Sequence, residues 1–552
     1  MNAPHFNIAA TLEGLVRKIP GAPAIRAPWL ESEISFRELN SQTARLASGF
    51  AQAGINEGTR VLLLVPFGID FITLAFGLFK AGAIPVLIDP GLGRKNFLHC
   101  VKEARPQAMI AVPKAHALRK FFPKPFQSVR TCITVGRRWF WGGESLKDVL
   151  AHGTEEFASL PRDEDHPAAI LFTSGSTGPS KGVLYTHGMF THQVELLKSC
   201  YGIRMGEVDL PTFPLFALFG IALGMTAVLP RMDPTRPAEV DPDEIITPIL
   251  KYRVTSSFGS PALWNTVTRH CLDHKIHLPS LKRVLIAGAP VPPELIGRFD
   301  RILDNDGEAF TPYGATEALP VSSIGQREIV ALDAGGTGCQ RGTCVGRPVP
   351  GIGVRIIEIS DDPILQWREG LEKPIGGMGE IVVQGPWVTR LYFNREGATR
   401  LAKIQDGDGF WHRMGDIGSI DEEGRLWFAG RKSHRVTLAE ETLFTIPCEA
   451  VFNRHLEVRR SALVGIGPRG RQRPVIVIEP GAARRIKEKK WVERVRRELL
   501  ELAAASEQTR AIRHVLFHPG FPVDIRHNAK IGREKLARWA ASRIPAEKPP
   551  AA

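Results

Sequence analysis

Short apolar runs recur along the first three hundred residues, each closed by Gly, Pro or Asp: VLLLVPF at 61–67, IPVLID at 84–89, AMIAVP at 108–113, ILFT at 170–173 and RVLIAGAP at 283–290. Between them lie stretches with helical periodicity, such as ELNSQTARLASGFAQAG and DFITLAFGLFKAG. Buried strands alternating with amphipathic helices predict βαβ units in largely parallel sheets, an α/β class. From about 345 to 430 the pattern changes. GVRIIEI, GEIVVQG and GRLWFAG, separated by Gly-rich turns, predict an antiparallel, barrel-like β-rich subdomain. Beyond Gly430 two further strands, VRRSALVGIG and PVIVIEP, precede a Lys/Arg-rich helix, which predicts a small α+β unit. The expected division is a large N-terminal domain, 1–430, and a C-terminal domain, 431–552.

The uncharged stretch LPTFPLFALFGIALGMTAVLP, 210–230, is long enough to span a bilayer. Pro211 and Pro214 interrupt its start and Gly220 and Gly224 its middle, so a buried strand–turn–helix lining an apolar pocket is the better expectation.

Composition changes this picture in one respect. The chain has 552 residues, 43% hydrophobic and 23% charged, with a formal net charge of +13. From Arg431 onward there are about 26 Lys/Arg against about 13 Asp/Glu, so the basic excess belongs to the last fifth. A solvated basic helix explains it, and so does attraction to nucleotide phosphates, an acidic partner or an anionic membrane surface. No nucleic-acid-binding signature accompanies it. The seven cysteines form neither a CxxC pair nor a ligand cluster, which argues against zinc and a disulfide framework and for a reducing, cytoplasmic setting. The N-terminus lacks the basic-then-apolar pattern of a secretion signal.

The most informative segment is AAILFTSGSTGPSKG, 168–182. An apolar strand enters a loop holding Thr173, Ser174, Gly175, Ser176, Thr177 and Gly178, with Lys181 near its end and a helix expected beyond. Glycine lets the backbone approach an anion closely, and free N–H groups and hydroxyls can wrap phosphate oxygens. The spacing excludes a standard P-loop, because Ser180 precedes Lys181 and Gly182 follows it.

TSGSTGPSKG resembles the signature loop of the acyl-adenylate-forming enzymes: acyl- and aryl-CoA synthetases, peptide-synthetase adenylation domains and luciferases. AGAP at 287–290, YGATE at 313–317, GEIVVQGP, WHRMGD at 411–416, LWFAGR at 426–431 and NAKIGREKL at 528–536 follow in the family's order. The resemblance implies ATP and Mg²⁺ as cofactors and a mobile C-terminal lid. It implies that Gly288, Ala289 and Pro290 flank adenine, that Tyr313 stacks on it with Gly314 beside it, and that Thr316 bonds the α-phosphate. Glu317 would hold the metal, Asp416 the ribose hydroxyls, and Arg431 would support that end of the nucleotide. Lys530 would bridge the attacked carboxylate and the α-phosphate. A carboxylate attacking a triphosphate is anion meeting anion, which is why a cation and a metal are needed.

Two departures narrow the reading. Thioester-forming relatives carry Pro-x-Phe-His-x-x-Gly, whereas PTFPLFA has Pro214 for His and Ala217 for Gly. At the hinge, GRKSHRVTLAEETLF places Ser433 where relatives carry Asp or Lys, and no Gly occurs between Gly430 and Gly465. Side chains throughout that run would crowd a thiol tunnel. The whole pattern is most similar to the OleC-type β-lactone synthetases of bacterial long-chain olefin biosynthesis. That implies adenylation of a 2-alkyl-3-hydroxy acid, then attack by its own β-hydroxyl, with Phe213, Phe216, Ala217, Gly259 and Pro261 around the alkyl chains and other enzymes of that pathway as partners. An acyl-CoA ligase with an unusual hinge, a carrier-protein-loading enzyme and a non-catalytic lipid-binding relative remain as alternatives. Retention of Thr316, Glu317, Asp416 and Lys530 argues against the last.

Overall fold

The apolar runs are the central strands of two large sheets. In the computed structural model, which describes residues 6–173, 180–334, 341–523 and 531–544, Arg60–Leu64, Ile84–Ile88, Ala108–Ala111 and Pro167–Thr173 lie in one seven-stranded sheet and run parallel. Helices Phe36–Gln52 and Ile69–Lys80 pack beside it. The first begins with a capping box, in which the Ser35 hydroxyl accepts from the Glu38 N–H while the Glu38 carboxylate accepts from the Ser35 N–H at 2.8 Å.

A nine-stranded sheet holds the second set. Val208–Pro211, Ser256–Gly259, Arg283–Ile286 and Glu308–Ala315 run parallel, and Ala318–Gly325 returns antiparallel along the last. The uncharged 210–230 stretch is strand, helix Pro214–Ala222 and strand Thr226–Val228, with Pro214 at the first helical position. No helix among the described residues is long and apolar enough to cross a membrane. The β-rich region is antiparallel as expected: Gly353–Ile357, Gly379–Gln384, Gly409–Ile420 and Leu426–Arg431 pair in sequence.

One expectation fails locally. The chain after the 174–179 loop is a strand, Lys181–Thr186, antiparallel to Pro167–Thr173, and the helix begins only at His187. Val183, Tyr185 and Thr186 are β-branched or aromatic and favour the pleated conformation. The loop therefore closes a hairpin and does not open a helix.

Near the C-terminus Val458–Ile466 and Arg473–Pro480 pair antiparallel, and a third strand, His514–Phe517, joins them in parallel. The basic helix Lys489–Ala505 buries Trp491, Val495, Leu499 and Ala503 at every fourth position. Its outer cations meet acids, as in Arg494 with Glu498 at 2.9 Å and with Glu457 at 3.0 Å.

Candidate nucleotide and acyl site

Two elements of the β-rich region meet the edge of the nine-stranded sheet at Asp416. Strands Gly409–Ile420 and Leu426–Arg431 pair in a register that sets Asp416 opposite Arg431. The Arg431 guanidinium lies 2.8 Å from one Asp416 oxygen, and the Tyr313 hydroxyl donates to the other at 2.7 Å. Asp416 is 1% exposed, and burial raises its pKa although Arg431 and Tyr313 both pull the other way. Gly430, with φ +124°, has to be glycine, since a Cβ there would stand 2.2 Å from the Thr445 hydroxyl.

Thr316 and Glu317 follow Glu308–Ala315, at the turn into the antiparallel return strand. The Tyr392 hydroxyl donates to Glu317 Oε1 at 2.6 Å, and the Tyr185 hydroxyl donates to the Thr316 carbonyl at 2.5 Å. Lys181 Nζ sits 4.6 Å from the centre of the Tyr392 ring, a cation–π contact. Burial and the adjacent Glu317 charge push the Tyr392 phenol well up, so it stays a donor. The Thr389 N–H donates to the Glu317 carbonyl at 2.9 Å, while Lys403 Nζ donates to the Thr389 carbonyl.

These groups open on one cavity of about 2290 Å³. Gly288, Ala289, Pro290, Tyr313 and Gly314 line it, as do Thr316, Glu317, Lys181, Asp416 and Arg431. Its apolar part is walled by Phe213, Phe216, Phe219 and Phe258, with Phe216 stacked on Phe258 at 3.5 Å and 8°. The other expected pocket residues stand differently. Ala217, about 100° further round the helix than Phe216, is wholly buried in the core. Gly259 faces Trp264, and Pro261 is buried at the start of the next helix. The flanking Phe258 and Ser260 reach the cavity in their place, because alternate residues of an extended chain point to opposite faces.

Beyond Arg431 the cavity is bordered by Lys432, Ser433 and His434 of a 3₁₀ turn, then by Thr445, Ile446 and Glu449. Lys432 Nζ pairs with Glu380 at 2.9 Å, and Glu380 pairs with Arg413 at 2.7 Å; Glu380 is fully buried. Ser174, Gly175, Ser176, Thr177, Gly178, Lys530 and the Thr173 side chain lie outside the described residues. Ile531 and Arg533, just past Lys530, line the cavity, and Arg533 grips Glu449 through both guanidinium nitrogens, with 2.9 Å to Oε2.

The AMP-binding enzyme profile matches residues 13–393. The chain belongs to the AMP-binding enzyme family. It is an AMP-forming, ligase-type enzyme. It is 45% identical to the olefin beta-lactone synthetase of Xanthomonas campestris pv. campestris, over 97% of each chain, and 44% identical to that of Stenotrophomonas maltophilia, over 99% of each. The fold is shared with the ATP-bound MatB of Rhodopseudomonas palustris, with a TM-score of 0.76 at 19% identity, covering 98% of this chain and 100% of that one.

Within this family site, sequence reasoning passed over Tyr392, Tyr185 and the Glu380–Arg413–Lys432 cluster. A usable signal existed for the first two. The chain has only five tyrosines, and three of them, 185, 313 and 392, touch the site.

Proposed function

We propose that this enzyme activates a long-chain 2-alkyl-3-hydroxy acid with ATP as an acyl-AMP, and that the acid's β-hydroxyl then attacks the acyl carbon to give a β-lactone, AMP and pyrophosphate. The observation that carries this reading is the continuity of one cavity, from the Glu317 and Asp416 groups to the phenylalanine-lined end. Near full-length identity to two olefin beta-lactone synthetases supports the same product class and a place in olefin biosynthesis.

Tyr313 and Gly288–Pro290 would hold the base, and the Asp416–Arg431 pair the ribose. Lys181 and the 174–178 loop would hold the β- and γ-phosphates. Residues 431–552 would act as a lid that brings Lys530 to the carboxylate and α-phosphate, with the domain boundary at the end of the Leu426–Arg431 strand. The donor set fits Mg²⁺: Glu317 is a lone carboxylate held by Tyr392, and no group of three or more His, Cys, Asp or Glu able to hold a metal occurs among the described residues. Magnesium prefers one or two protein carboxylates with phosphate oxygens and water making up the rest. When bound it supplies charge neutralisation at the phosphates.

The second step needs no external nucleophile. An internal hydroxyl held near the acyl carbon has a very high effective concentration. The Lys432–His434 turn, pinned through Glu380 and bare of glycine, is consistent with an enzyme that admits no pantetheine thiol. Incubation with ATP, Mg²⁺ and either a 3-hydroxy acid or the matched 3-deoxy acid, with and without CoA, tests this. The hydroxy acid should yield a neutral product lighter by one water, unaffected by CoA, and the deoxy acid only slow hydrolysis. Rapid CoA thioester formation from the deoxy acid would replace this reading with a ligase.

A further inference from the structure

Between Glu103 and Glu144 the sequence holds eight Lys/Arg and no Asp or Glu. This run stands out within the large N-terminal part, whose charges nearly cancel only when the run is counted with it. The fold folds its two ends onto each other. Helix Pro113–Phe121 packs against the loop that follows strand Thr131–Thr134. Trp141 is the anchor: it is buried, its ring stacks on His116 at 5.7 Å and 13°, its indole N–H donates to the Thr134 hydroxyl at 2.9 Å, and its carbonyl accepts from Arg119 at 3.1 Å.

With Trp141 fixed, its neighbours are held outward. Trp139 is 59% exposed and Phe140 78%, and Phe121, at the end of the helix, is 80% exposed. Lys120, Lys124, Arg137 and Arg138 are exposed around them. The first carboxylates beyond the loop are occupied, Asp148 by the Ser145 hydroxyl at 2.7 Å and Glu144 facing His152 at 3.8 Å. Three large aromatic rings exposed together among cations mark an interaction surface.

We propose that this surface docks on an anionic phospholipid bilayer. Aromatic rings enter the headgroup–acyl boundary while neighbouring cations stay with the lipid phosphates, the arrangement of an interfacial anchor. A second copy of the chain is disfavoured, since the same cations would face each other. The placement serves the site. Ala115 and Leu118 of the same helix line the cavity, and so do the exposed Arg94 and Lys114, so the cavity reaches the surface beside this patch. Docking brings that opening to the lipid surface, where alkyl acids partition. On the C-terminal basic helix, by contrast, Arg494 and Arg497 face Glu457, Glu498 and Glu501.

The test uses the full chain and sedimented vesicles of phosphatidylglycerol with phosphatidylcholine, or of phosphatidylcholine alone. Wild type should bind the anionic vesicles at least tenfold more tightly than the neutral ones, and binding should weaken with salt. The triple variant Phe121→Ala, Trp139→Ala, Phe140→Ala should lose at least tenfold in binding, and Lys120→Glu with Arg137→Glu should abolish the preference for anionic lipid. Both should keep wild-type turnover of a short, water-soluble acid, which shows that they are folded. The blue shift of tryptophan emission on vesicle addition should shrink in Trp139→Phe. Undiminished vesicle binding by the triple variant overturns the proposal. So does failure of wild type to bind the anionic vesicles, and binding of a single-stranded oligonucleotide through the same aromatic residues would then reassign the surface.

Discussion

Tyr392 connects two charged groups of the cavity: its hydroxyl donates to Glu317 and its ring carries Lys181. Tyr392→Phe keeps the ring and removes the bond, a charge-assisted one worth about 1.5–3 kcal/mol. ATP–pyrophosphate exchange should therefore fall roughly tenfold or more in kcat/KM, with a larger Mg²⁺ requirement; unchanged exchange would show that Glu317 needs no such support. Asp209 lies outside the site and is almost wholly buried beneath helix Pro214–Ala222, where burial pushes its carboxyl up to about 8 from an ordinary 3.8, against the pull of Ser256. A raised acid contributes stability that is full below the unfolded value and lost as pH rises through the folded one. Asp209→Asn should therefore gain in melting temperature over wild type progressively from pH 5 to pH 8; a constant difference across that range would contradict the assignment. Residues inside contiguous motifs, such as Tyr313, Asp416 and Arg431, could be read from sequence because their neighbours marked them. Tyr392 and Glu380 could not, since their partners lie 75 and 33 positions away and only the fold joins them.

At the scale of elements, helix Pro214–Ala222 separates two neighbours that the sequence alone could not tell apart. Phe216 faces the cavity, whereas Ala217 is buried. Phe216→Asp should cost long acids more than short ones, by about 0.8 kcal/mol for each methylene that loses burial, read as kcat/KM for C8 against C16 substrates. Ala217→Asp should lower stability and affect all chain lengths alike. Equal chain-length profiles for the two variants would remove the helix from the pocket. Glu380 ties Arg413 of the β-rich sheet to Lys432 of the turn that follows it, and Glu380→Ala leaves buried charge unpaired, which costs about 3–5 kcal/mol. Chemical denaturation checks this, and a loss below about 1 kcal/mol would mean that water reaches the pair. Long periodic elements were legible because burial writes its period into sequence. The strand Lys181–Thr186 was missed because a glycine-rich loop before it suggested a phosphate-binding helix, while six residues, of which only Val183 and Thr186 are β-branched, are too short for a period to decide.

At the scale of the molecule, the signature loop and the six motifs that follow it in order announced the family, and the apolar runs the parallel sheets, whereas strand order and the cavity's reach between them needed the fold. Lys530→Ala should slow adenylation by orders of magnitude while leaving ATP binding nearly intact, because the groups proposed to hold base and ribose stand on the other side of the proposed boundary; equal pyrophosphate release would refute the lid. The central claim is that the carboxylate, and not the β-hydroxyl, is activated. A 3-hydroxy acid carrying ¹⁸O in both carboxyl positions decides it by mass spectrometry of the products. The account predicts one ¹⁸O in AMP and one in the lactone carbonyl, because the carboxylate oxygen that attacks the α-phosphorus leaves with AMP. Unlabelled AMP, with both labels retained in the lactone, would contradict it.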